Sequence, residues 1–137
     1  MNRREFQQLA FVRQREAKAL LDRRLYDGAY YLAGYAVECA LKACIAKQTR
    51  RFEFPDRDWA IKVFTHDLRS LMRSAQLEEA LAVESTADQI FGRYWALVCD
   101  WRETSRYERH TAEAARTMFD AINDPTHGVL RWLRLHW

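Results

Sequence analysis

The chain has 137 residues, about half of them hydrophobic and 13% aromatic, with 22 basic against 19 acidic residues and a formal charge of +3. That length and apolar content can bury a core, which excludes a disordered chain and places residues 1–137 in a single domain. So small a positive excess points to solvated helix faces more than to nucleic acid.

Two prolines and four glycines leave few breaks, as suits long helices joined by few turns. All basic residues except Lys18, Lys42, Lys47 and Lys62 are arginine, which grips phosphate and carboxylate bidentately and stacks on rings. Cys39, Cys44 and Cys99 show no CxxC spacing. Cys39 and Cys44 lie in an apolar helical stretch and read as small buried hydrophobes, and free thiols fit a reducing cytoplasm. The N-terminal stretch lacks the apolar run of a signal peptide. The run 28–45 approaches membrane length, but Glu38 and Lys42 interrupt it, so no transmembrane span is expected.

A first helix is predicted over residues 4–24, with Phe6, Leu9, Ala10, Val12, Ala17, Leu20 and Leu21 forming its apolar stripe. Tyr26, Asp27 and Gly28 form the turn, with Asp27 as N-cap of a second helix over 28–47. That helix is apolar over most of its circumference. Tyr31, Tyr35, Glu38 and Lys42 make a separate stripe at helical spacing. Such a helix must be covered on several sides.

Residues 48–64 read as a loop, with Phe52, Phe54 and Trp59 tucking onto the core. Thr65 is expected to cap a short third helix. A fourth helix follows over 87–101, with Ile90, Phe91, Tyr94, Leu97, Val98 and Trp101 on its inner side. The sequence WRETSRYERH (101–110) breaks it. Thr111 then caps a fifth helix over 112–122, ended by Pro125. A short basic amphipathic helix, 129–137, closes the chain; either Trp132 and Leu133 seal the bundle's end, or the helix docks a partner helix or lies along nucleic acid with its arginines on phosphates. The expected architecture is all-α: an up-and-down four-helix bundle with additional short helices.

The second helix, AYYLAGYAVECALKACIAK, resembles that of HEPN domains, whose Ala-x-Glu-x-x-Leu-Lys-Ala pattern falls on Ala36, Glu38, Leu41, Lys42 and Ala43. THDLRSL, with His66, Asp67, Leu68 and Leu71, is similar to the family's third-helix start. Arg106-Tyr107 matches an arginine–tyrosine pair frequent after the fourth helix in one branch of the family. The resemblance spans about residues 5–122. It implies a five-helix fold around a four-helix bundle, often a homodimer, that binds nucleotides or RNA. It also implies frequent pairing with a minimal nucleotidyltransferase, and one branch of metal-independent RNases in toxin–antitoxin and defence systems.

An RNase of that kind needs a proton-transfer group for the ribose 2′-hydroxyl and cations for the phosphorane charge. Arg106 and His110 are the candidate catalytic pair. The catalytic branch separates its arginine from its histidine by four to six residues. Here three residues lie between Arg106 and His110 and seven between Arg102 and His110. If the stretch were helical, Arg106 and His110 would share a face; Glu103-Thr104-Ser105 argues for a turn. Glu38 needs a partner if buried, and Arg106 is the expected one.

His66 follows a helix cap and is expected in a hydrogen-bonded structural role, and His127 in an exposed turn. No metal spacing is present and no GxGxxG, P-loop or nucleophile elbow, so neither metal nor cofactor is expected. The leading expectation is binding of nucleotide, RNA or a minimal nucleotidyltransferase through Arg102, Arg106, Tyr107 and Arg109, supported by Glu38, Lys42, Tyr35 and His66. The alternatives are the RNase and a pure protein-interaction domain.

Overall fold

The computed structural model describes residues 1–49 and 57–137 (for Trp59 and Lys62, the backbone alone). Helix α1 spans Arg3–Asp22 and α2 Tyr26–Gln48. The short helices α3 (Arg57–Val63), α4 (Leu68–Ser74) and α5 (Glu78–Ala87) follow. Then come α6 (Gln89–Val98), a 3₁₀ turn (Glu103–Tyr107), α7 (Ala112–Asn123) and α8 (Val129–Arg134). The fold is all-α, and among the described residues there is no strand. The expected docking of Phe52, Phe54 and Trp59 lies outside what is described.

Helix α2 is the axis of the molecule, in contact with α1, α4, α7, α8 and the 3₁₀ turn. Twelve of its residues are buried, among them Ala33, Gly34, Ala36, Val37, Glu38, Ala40, Leu41 and Ala43. The small side chains let neighbours approach closely. Helix α1 buries only Ala10 and Ala17, two turns apart, where it lies on α2. Cys44 also points inward, its Sγ 3.7 Å from the Leu133 carbonyl of α8. Burial pushes the Cys39 and Cys44 thiols up to about 12. Trp132 and Leu133 are buried and close the far end of the core.

Several boundaries differ from expectation. Asp27 does not cap α2, which starts two residues earlier than expected, with Leu25 at the N-cap. The carboxylate of Asp27 instead serves the chain at 109–110. Asp67, not Thr65, caps α4, accepting the Ser70 N–H at 2.7 Å; Thr65 Oγ1 accepts the Asp67 N–H. Helix α3 forms where a loop was expected. Helix α5 precedes α6 and buries none of its residues completely, so no continuous apolar stripe marks it. On α6 the buried residues are Phe91, Trp95 and Val98, whereas Leu97 faces out at 42% exposure. His127 is half-buried rather than an exposed turn residue, with Nδ1 2.6 Å from Asp88 Oδ2.

Two helices stop by the same device. After α1, Leu25 N–H returns to the Leu20 carbonyl and Arg24 N–H to Leu21, with Arg24 at φ 61°. After α4, Leu77 N–H returns to Met72 and Gln76 N–H to Arg73, with Gln76 at φ 57°. Both are Schellman closures carrying a side chain where glycine is usual.

Candidate phosphate-binding segment along helix α2

Residues Asp27, Tyr30, Tyr31, Gly34 and Glu38 recur at three- and four-residue steps and so share one face of α2. The segment 101–110 lies along that face. Trp101 is 1% exposed and fills the notch left by Gly34, where an added Cβ would lie 2.2 Å from the indole Cδ1. Its ring also stacks on Tyr31, centroids 5.9 Å apart. Two residues on, Glu103 reaches His66, which itself bonds Glu38. At the other end His110 stacks flat on Tyr30, and its N–H donates to Asp27 Oδ1 at 2.6 Å. Arg109 pairs with the other oxygen of Asp27, Nε–Oδ2 2.9 Å.

The three guanidinium groups are therefore strung out, not gathered on Glu38. Arg102 lies at the Glu38 end, in a hollow of about 240 Å³ with His66, Asp67, Glu103 and Thr104. Arg106 is in the middle, its guanidinium 4.8 Å from the centre of the Tyr107 ring. The Tyr107 oxygen, and after it that of Tyr31, pushes this guanidinium further up from its ordinary value. Tyr107 is 77% exposed, so the arginine–tyrosine pair presents an open stacking surface. Arg109 lies at the Asp27 end, in a hollow of about 280 Å³ with Arg24, Tyr26 and His110.

The expected pairing of Arg106 with Glu38 is not what the fold makes. Glu38, 1% exposed, takes Lys42 Nζ at 2.8 Å and His66 Nδ1 at 3.0 Å. Lys42 lies one turn on along the same helix, so the nearest cation in space is also the nearest in sequence. Tyr35 turns toward α1 instead, with the Arg13 guanidinium 5.4 Å from its ring. Its phenol is pushed up, first by burial and then by the Cys39 and Glu38 side chains.

Nor do Arg106 and His110 share a helical face. The 3₁₀ turn ends at Tyr107 and Glu108 is extended (φ −102°, ψ 155°). No hydrogen bond joins the two side chains. His110 Nε2 lies 3.2 Å from the Ser105 carbonyl. A carbonyl oxygen only accepts, so Nε2 donates and Nδ1 carries the lone pair of the neutral ring. Trp101 Nε1 and Ser105 Oγ, both buried in this segment, have no hydrogen-bond partner among the described residues.

Glu103 and Asp27 are the anchoring residues that local sequence reasoning missed. Glu103 read only as part of a turn, and Asp27 as a helix cap; each bonds a residue far away in the chain. Among the described residues no cluster of His, Cys, Asp and Glu could hold a metal ion. No helix there is long and apolar enough to cross a membrane.

No curated protein and no solved structure matches the chain. The family model of the HEPN domain matches residues 8–135, nearly its whole length, and the chain belongs to that family.

Proposed function

We propose that this HEPN protein binds the phosphates of a nucleotide or an RNA strand along the 101–110 segment. Arg102, Arg106 and Arg109 capture phosphate and Tyr107 stacks on a base. The observation that carries this reading is Arg106 itself: an exposed guanidinium held over the exposed Tyr107 ring. A cation and a π face side by side suit a phosphate next to its base. Glu38, Lys42 and His66 support the segment from beneath, and Tyr35 packs between Tyr31 and the Arg13 guanidinium of α1. The protein acts in this reading as a cytoplasmic homodimer, with a minimal nucleotidyltransferase as its protein partner.

Anisotropy titration of a labelled single-stranded RNA and of a labelled nucleotide, in EDTA and across a salt series, tests the reading. Affinity should fall with salt. Arg106→Ala should weaken it and shallow the salt dependence by about 0.7 in logarithmic slope, one lost phosphate contact. A slope unchanged in Arg106→Ala contradicts the reading. Absence of any binding, with a partner protein co-purifying, favours a pure interaction domain.

A second reading, metal-independent RNA cleavage by Arg106 and His110, draws on the tautomer that the Ser105 carbonyl imposes on His110. Its Nδ1 would serve as the proton acceptor. Cleavage in EDTA that disappears in a folded His110→Ala variant would establish it.

A further inference from the structure

A five-residue 3₁₀ turn has little stability of its own. The one at Glu103–Tyr107 is tied internally by Ser105 N–H to the Arg102 carbonyl and flanked by Glu108 N–H to Ser105. Its placement on α2 therefore comes from anchors. The Trp101 anchor is apolar, and the His110 anchor is a ring stack with a backbone bond to Asp27. The third is built from charge.

Glu38 presents both oxygens to His66 Nδ1, at 3.0 and 3.1 Å. On the far side of the ring, Nε2 lies 2.7 Å from Glu103 Oε2. One imidazole thus spans from the central helix to the arginine-bearing turn. Carboxylate oxygens only accept, so the bridge is complete when both ring nitrogens carry a proton. The carboxylates facing the ring are Glu38 from α2, Asp67 beside it and Glu103 from the turn. Lys42 from α2, Arg69 from α4 and Arg102 from the segment are the described cations facing them. The Asp67 carboxyl is held below the usual range, first by the Ser70 N–H. Asp67 thus has partners of its own, and the two ring nitrogens go to Glu38 and Glu103.

We infer that His66 is a positioning residue: donating from both ring nitrogens, it pins Glu103, and with it the Arg102–Arg109 segment, to the buried Glu38. Without the bridge the turn is left to the Trp101 and His110 anchors. Its consequence for ligand rests on the phosphate-binding reading above; its geometry does not. His66 need not touch the ligand. It sets whether the guanidinium groups are presented in one arrangement.

Hydrogen exchange of the Ser105 and Glu108 amides in the ligand-free protein, expressed as protection factors, tests this directly. Removing the bridge should lower protection of both amides by about tenfold, the order of one charge-assisted hydrogen bond, with the amides of α7 unaltered. Glu103→Ala, which alters a part-exposed residue, and His66→Ala should both show this loss. If His66→Ala does not fold, Glu103→Ala alone carries the test. Protection unaltered in Glu103→Ala, or lowered equally in α7, overturns the inference. The expected loss in a protein whose RNA and nucleotide affinities ignore Arg106→Ala would uphold the positioning role and overturn the binding reading.

Discussion

His110 lies flat on Tyr30, ring centroids 3.8 Å apart and planes 12° from parallel. The stack, with the bond from His110 N–H to Asp27, fixes the end of the arginine segment at the start of α2. It gives this histidine a structural task that the face of the ring performs. His110→Phe should keep the stack and RNA affinity and lose only the Nε2 bond to the Ser105 carbonyl, about 1 kcal/mol, whereas His110→Ala should lose about 1 kcal/mol more, the value of an aromatic pair. Urea unfolding and anisotropy measure the two. Loss of affinity in a folded His110→Phe variant would give the ring nitrogens a role in the ligand site.

Gly34 is where the segment comes closest to α2. A methyl group there meets the buried Trp101 ring at 2.2 Å, and the indole has no solvent to move into. Gly34→Ala should destabilise the fold by about 1–3 kcal/mol despite the gain in helix propensity. Because Trp101 leads into the segment, RNA affinity should fall too. Urea unfolding with the same variant in the anisotropy assay checks both.

Arg24 and Gln76 hold left-handed backbone at the ends of α1 and α4. A side chain there costs roughly 1 kcal/mol relative to glycine. Gln76→Gly should therefore raise stability by about that amount in urea unfolding. Arg24→Gly should do the same while removing a cation from the hollow beside Arg109; a selective loss of nucleotide affinity in that variant would place the hollow in the binding surface.

Acid should destabilise the protein in a defined sense. The Asp67 carboxyl is held low by the Ser70 N–H, that of Asp88 by His127, and that of Asp124 by the His127 and Thr126 N–H groups. Each folded-state value lies below the unfolded one. Their contribution is complete above the ordinary carboxylate range and is lost as pH falls through the lowered values. Thermal melts should thus drop steeply on acidification below about pH 4. Asp67→Asn should flatten part of that drop; an unchanged pH profile in this variant would contradict the assignment.

The helical class, the central place of 28–47 and the HEPN family were legible because periodicity and the Ala-x-Glu-x-x-Leu-Lys-Ala pattern are local signals. The Thr111 cap of α7 was legible for the same reason: its Oγ1 accepts Ala114 N–H three residues on. The contacts that join segments were not. Glu38 reads as needing a cation, and the candidate arginine lay in the right stretch. Yet the bond to that stretch passes through His66 to Glu103, residues that no spacing rule connects. Likewise Asp27 has the composition of a cap, and only the folded chain reveals that the 109–110 backbone claims its carboxylate. Asp88 with His127 follows the same logic.

The central claim is that the 101–110 segment on α2 is a phosphate-binding surface. Amide and arginine side-chain NMR shifts during titration of a short single-stranded RNA test it most directly. Perturbations should centre on Arg102, Arg106, Tyr107, Arg109 and the underlying Tyr31, and fade as salt is raised. Perturbations confined to α8 and the start of α1, with the segment silent, would contradict it.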